Sequence, residues 1–167
     1  ESLREVKDES EIALIEKACA IADQGFAYIL EQIKPGMTEI QVANQLDFYM
    51  RSLGATSVSF DTIVASGVRS AMPHGVASTK VIEKGDLITL DFGCYYEGYV
   101  SDMTRTFALG DPGEKLKEIH QVVLEAQLMV NAVAKAGMSG VELDAVARDY
   151  IASHGYGEAF GHSTGHG

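Results

Sequence analysis

Cysteine and proline are both scarce: the 167-residue chain has two of the first, three of the second, and no tryptophan. Cys19 and Cys94 stand in apolar or strand-like surroundings with no paired spacing, which excludes a disulfide framework or a zinc motif and fits a reducing cytoplasm. So few prolines, beside 17 glycines and 46% apolar residues, exclude collagen-like, mucin-like and low-complexity disordered chains. Basic residues are short as well. Thirteen Lys and Arg against 24 Asp and Glu leave a net charge of −11 with no dense basic run, so nucleic acid is not an expected partner. No apolar run approaches the roughly 20 residues of a membrane helix, and Glu1 to Glu11 is too charged for a signal peptide, so no membrane association is expected. Neither a phosphate-cradling Gly-rich loop followed by Lys-Ser/Thr nor a G-x-S-x-G elbow is expected in the chain, which sets nucleotide and serine-hydrolase chemistry aside.

What is present is a helix, helix, sheet, helix, helix order, an α+β pattern. Asp8 with Glu11 reads as a capping box ahead of helix-spaced apolar residues from Ile12 to Ile33, stopped by Pro35-Gly36. Thr38 with Gln41 repeats the signal before a second helix that ends at Gly54. The period then changes: Val58, Phe60, Ile63-Val64, Val81-Ile82 and Leu87 to Leu90 read as strands. Glu97-Gly98 predicts a tight hairpin with arms over 87–96 and 99–108. Helical spacing returns from Leu116 to Ala136 and from Val141 to Ser153. The two helix pairs repeat at an offset of 101 residues: Gly36-Met37-Thr38 matches Gly137-Met138-Ser139, and Tyr49, Ser52 and Gly54 match Tyr150, Ser153 and Gly155. Residues 1–110 then form a first half of helices and sheet, and 111–167 the start of a second half without its sheet.

The hairpin places two carboxylates. If Tyr96 pairs with Tyr99, opposed residues sum to 195, so Asp91 faces Thr104 and Asp102 faces Gly93. The aspartates become diagonal neighbours with Cα atoms roughly 7–8 Å apart, unless a bulge breaks the parity. An exposed pair would be solvated surface. The apolar run Leu87-Ile88-Thr89-Leu90 predicts burial instead, and a buried pair needs a cation or a shared proton. Two metal ions sharing such a pair would suit hydrolysis. His74, in a loop before Gly75, and the pair His162 and His166 in a run of small residues, are the candidate imidazoles; a hydrated tail is the alternative for that pair. His120 and His154 read as structural.

At these residues the chain resembles the pita-bread metallopeptidases, in particular Xaa-Pro dipeptidases (prolidases) and aminopeptidase P. Asp91-Phe92-Gly93-Cys94-Tyr95-Tyr96-Glu97-Gly98-Tyr99-Val100-Ser101-Asp102 resembles their two-aspartate hairpin, Met72-Pro73-His74-Gly75 their first histidine loop, and His162-Ser163-Thr164-Gly165-His166-Gly167 their second. The resemblance implies a pseudo-twofold pita-bread (creatinase/aminopeptidase) fold with the second-half sheet truncated. It implies that Asp91, Asp102 and His166 hold two divalent ions, with His74 and His162 as catalytic residues beside them. Oxygen-rich ligation with one imidazole favours Mn²⁺, with Co²⁺, Fe²⁺ or Zn²⁺ as substitutes. The family's two later glutamates and a further histidine have no counterpart here, and Glu158 fits neither glutamate. The expectation is therefore an incomplete catalytic domain, trimmed at both ends.

The function so implied is hydrolysis of the bond before proline in short peptides, by the parent enzyme and not by this incomplete chain. Two rivals stay open: a methionine aminopeptidase, and a noncatalytic module of the same fold that binds peptide or protein. An apolar face left by the missing sheet would drive homodimerisation or aggregation.

Overall fold

The computed structural model describes residues 2–166, so Glu1 and Gly167 lie outside the described residues, and it divides into two compact units between Pro112 and Gly113. In the first unit a short helix α1 (Ser2–Glu5) precedes α2 (Glu9–Gln32) and α3 (Glu39–Ser52). Both longer helices start at full capping boxes: Asp8 Oδ1 accepts from Glu11 N at 2.9 Å while Glu11 Oε2 accepts from Asp8 N at 2.8 Å, and Thr38 and Gln41 do the same. Helix α2 stops where Ile33 turns extended, just ahead of Lys34, whose helical conformation Pro35 disfavours.

The strands are β1 (Ser57–Val58), β2 (Ile63–Ser66), β3 (Leu87–Phe92), β4 (Cys94–Tyr96), β5 (Tyr99–Val100) and β6 (Met103–Ala108). They form two antiparallel sheets, ordered β1-β4-β5 and β2-β3-β6. The hairpin keeps one register throughout: Tyr96 pairs with Tyr99, Tyr95 with Val100, Phe92 with Met103 and Asp91 with Thr104. On the other side the register slips by two residues between Val58↔Cys94 and Ile63↔Asp91, which ejects Phe60 from the ladder position its sequence suggests. Val81-Ile82 also departs from expectation. Rather than a sheet strand it forms a single bridge to Thr38, with Ile82 N and O bonded to the α2–α3 linker at Met37 O (2.8 Å) and Gly36 N (2.9 Å).

The core of this unit lies between the helix pair and one face of the sheets. Ile21, Ile29, Val42, Leu46 and Met50 meet Ile82, Ile88, Leu90, Phe92 and Cys94, all essentially buried. Each fully buried large side chain contributes about 2 kcal/mol. Gly25 lets the helices approach, because a Cβ there would stand 3.0 Å from both Leu46 Cδ1 and Met50 Cγ.

The second unit holds α4 (Glu114–Val133), α5 (Gly140–Ser153) and a 3₁₀ turn, Gly157–Ala159. It repeats the α2–α3 frame at the offset of 101. Ser139 and Glu142 form the capping box of α5 as Thr38 and Gln41 form that of α3. Gly36 and Gly137 both have positive φ (96° and 92°), as do Gly54 and Gly155 (108° and 85°). Ser153 Oγ donates to Tyr150 O at 2.6 Å, and Ser52 Oγ to Tyr49 O at the same distance. The frame is shared and the covering is not. Ala22 and Val42 are buried under the first unit's sheets, whereas their counterpart Val123 is half exposed and Leu143 only partly buried. Among the described residues no strand follows Gly113.

Candidate metal centre

Asp91 lies near the end of β3. Along that strand Ile88, Leu90 and Phe92 alternate into the core, which places Leu87, Thr89 and Asp91 on the other, less covered face. Asp91 is half-buried, with Oδ1 closed off from solvent, while Asp102 is exposed. The expectation that the apolar run buries both carboxylates is thus corrected: the run is apolar because of its core-facing alternate positions, and the aspartates belong to the opposite parity.

Asp102 sits in the two-residue break, Ser101-Asp102, between β5 and β6. Gly93 makes the break. A Cβ there would lie 1.8 Å from Ser101 O and 2.5 Å from Ser59 Oγ, so only glycine admits this approach. Around it Ser101 N donates to Cys94 O (3.0 Å), Cys94 N to Ser101 Oγ (3.1 Å), Ser59 N to Gly93 O (3.1 Å) and Ser59 Oγ to Ser101 O (2.8 Å). The parity on either side of the break is unchanged, which leaves Asp91 and Asp102 at diagonally related positions, for which a regular ladder gives roughly 7–8 Å between Cα atoms.

His74 belongs to the same unit. Its loop is stitched to the sheet at Val76, which bridges Ile63, and Ile63 pairs in turn with Asp91. Two strand spacings separate Val76 from Asp91, about 10 Å. Gly75 allows the contact, since a Cβ on it would stand 3.0 Å from Ala65 Cβ of β2. His74 itself is exposed.

His162 and His166 lie in the second unit. Their segment is no loose tail: Arg148 of α5 donates to Phe160 O through Nη1 and to His162 O through Nη2, both at 2.9 Å, and stacks over the Phe160 ring at 4.4 Å. Asp144 holds that guanidinium at 2.6 Å and accepts from Thr164 N at 2.8 Å. The Arg148 hydrogen bond first, and the Thr164 amide second, bring the Asp144 carboxyl down to about 2. His166 borders a mainly apolar cavity of about 600 Å³ between α4 and α5, with Val123, Val130, Leu143 and Ile151. Neither Asp144 nor Arg148 was singled out from sequence; their i,i+4 spacing reads as an ordinary surface helix pair.

Gly161-His162-Ser163-Thr164-Gly165 does spell G-x-S-x-G, so the expectation that this string is absent is corrected. It follows a 3₁₀ turn instead of joining a strand to a helix, so it lacks the strained turn that exposes a nucleophilic serine. His154 caps α5, its Nδ1 3.0 Å from Tyr150 O, in keeping with a structural role.

Asp91 and Asp102 come together as a pair of oxygen donors, with the His74 loop on the same sheet. Among the described residues no three His, Cys, Asp or Glu side chains gather into a group able to hold a metal ion. Two carboxylates on one hairpin suit part of a hard-cation site.

The chain belongs to metallopeptidase family M24, whose model matches residues 13–167. It is 61% identical, over its whole length, to the uncharacterized peptidase YqhT of Bacillus subtilis, and 52% identical over 99% of its length to an Xaa-Pro dipeptidase of Pyrococcus horikoshii. It spans about half of these curated relatives, 47% of each. Among solved structures, the Xaa-Pro dipeptidase from Bacillus anthracis superposes over 100% of this chain and 47% of that one, with a TM-score of 0.98 and 62% identity. The prolidase from Pyrococcus furiosus gives 0.97 and 50%, covering 99% of this chain and 49% of that one. The fold is accordingly that of the pita-bread enzymes, with two small antiparallel sheets.

Proposed function

We propose that the protein takes part in metal-dependent hydrolysis of the bond between a first residue and a following proline in short peptides, this chain contributing part of the metal centre. What supports this is the hairpin register, the same on both sides of the Ser101-Asp102 break, which makes Asp91 and Asp102 diagonal neighbours. Xaa-Pro dipeptidases among the relatives favour this over a methionine aminopeptidase or a noncatalytic binding module.

In this reading Asp91, Asp102 and His166 hold two divalent ions, Mn²⁺ being favoured by the oxygen-rich set. Bound there, the ions would activate water and polarise the scissile carbonyl. The protein's own groups do the positioning. His74, on a loop hydrogen-bonded into the sheet of Asp91, and His162, held by Arg148, supply donors for the oxygen on which charge develops. Free thiols at Cys19 and Cys94 fit a cytoplasmic setting. The half-exposed apolar residues of α4, Val123, Leu128 and Met129 among them, would support a homodimer of the isolated chain.

The test is calorimetric titration of Mn²⁺ into the metal-free chain and its Asp102→Ala variant. It is paired with Ala-Pro hydrolysis by both in a form extended to the length of the relatives. Loss of binding and turnover in the variant supports the reading, and equal affinity and rate refute it.

A further inference from the structure

Glu39, the first residue of α3, is completely buried although it is a carboxylate, and the metal centre described above makes no use of it. Its surroundings explain how the charge is tolerated. Oε2 accepts from Ser66 N at 2.8 Å and Ser66 Oγ at 2.7 Å; Oε1 accepts from Arg69 Nε at 3.0 Å, Ser78 N at 3.1 Å and Ser78 Oγ at 2.5 Å. Burial works against the charge, but the hydrogen bonds from Ser78 and Ser66 prevail and hold the carboxyl below the usual range. The start of α3 adds a favourable dipole.

What the carboxylate joins is informative. Ser66 ends β2, Arg69 lies in the 3₁₀ turn Gly67–Ala71, and Ser78 follows Val76, so the three partners bracket the loop that carries His74. Arg69 then spans that loop: with Nε on Glu39, its Nη2 donates to Val76 O at 2.7 Å and its Nη1 points at Met72 Sδ at 3.9 Å. Lys80 closes the far side, donating to Ser66 Oγ at 3.0 Å and to Asp86 at 2.8 Å. A buried ion pair is a weak source of net stability, and fixing a geometry is one use that such pairs have.

We propose that Glu39 is a positioning residue that, through Arg69, Ser66 and Ser78, fixes the His74 loop against β2. The inference rests on the reading of His74 as a functional group, and its test is arranged to fail separately from that reading. Glu39→Gln keeps the size but replaces one acceptor oxygen with an NH₂ that opposes a donor. Arg69→Met, at a partly exposed position, keeps the test alive if the first variant folds poorly.

Amide hydrogen exchange and the His74 imidazole Cε1 resonance are read in the 167-residue chain. The expected result is exchange at least tenfold faster at Gly75, Val76 and Ser78 in either variant, with β3 amides unchanged and the His74 resonance moved to its free-peptide position. The double variant should add less than twofold to either single one, since both cut the same clamp. Unchanged exchange at those three amides, or equal acceleration in β3, overturns the proposal. His74→Ala judges the other reading: if peptide hydrolysis in the extended form survives it while Glu39→Gln still frees the loop, the clamp stands and the role given to His74 falls.

Discussion

Gly93→Ala puts the hairpin geometry under direct test. The added methyl would begin 1.8 Å from Ser101 O, where a carbon and an oxygen normally rest about 3.3 Å apart, so the two arms must part by about 1.5 Å. That displacement would stretch four hydrogen bonds beyond use: Ser101 N to Cys94 O, Cys94 N to Ser101 Oγ, Ser59 N to Gly93 O and Ser59 Oγ to Ser101 O. At about 1 kcal/mol net each, and with some relaxation, the loss is about 3–5 kcal/mol, a large share of a stability of about 5–15 kcal/mol. Gly140→Ala is the control, because its Cβ meets nothing within 4 Å and the position is helical. It should be neutral or slightly stabilising. Urea unfolding followed through exchange of the β3 amides gives the first unit's stability, and, on the proposed assignment of Asp91 and Asp102 as metal ligands, Mn²⁺ titration would report whether the two have moved apart. A Gly93→Ala protein within 1 kcal/mol of the parent, binding Mn²⁺ equally well, would refute the account of the break.

The Asp144 carboxyl, brought down to about 2 from an ordinary 3.8, should tether the His162–His166 segment fully above about pH 4 and release it as the pH falls towards 2. Thr164 amide exchange follows the release, and Asp144→Asn should show the freed behaviour already at neutral pH; a transition unaltered by that substitution would contradict the assignment. Leu46→Ala, in the completely buried core under the sheets, should cost about 3 kcal/mol, and Leu143→Ala, on the partly covered face of α5, less than about 1 kcal/mol. Chemical unfolding of each unit measures the contrast, and equal losses would count against the difference in covering.

Local signals carried far in this sequence. Capping boxes lie within four-residue windows, and α2 and α3 start where Asp8 and Thr38 place them; the box of Ser139 and Glu142 shows in the sequence only through the repeat of Thr38, and it starts α5 one residue ahead of the expected Val141. The Tyr96–Tyr99 pairing fixed Asp91 opposite Thr104 because register propagates along an unbulged hairpin. Contacts between distant segments left no periodic trace. The two-residue slip that ejects Phe60 depends on how Ser59 meets Gly93, and the Glu39 clamp joins residues 27 to 39 positions apart. The exposure of Asp102 and the only partial burial of Asp91 escape the sequence for a related reason: an apolar run reveals a covered strand, but not which parity is covered on both sides.

The repeated frame extends to how each unit fastens the segment after its second helix. Adding 101 to Asp47 of α3 reaches Arg148 of α5, and adding it to Thr62 reaches Ser163. Asp47 accepts from Thr62 Oγ1 at 2.6 Å, tying the segment after its helix, and Arg148 donates to His162 O at 2.9 Å, tying the matching stretch. The tether point therefore occupies the same place in both helix frames while its sign is reversed, an acceptor in one copy and a donor in the other. The two copies thus share where a loop is fastened and differ in the chemistry that fastens it, so the same helix frame carries loops in opposite electrostatic surroundings.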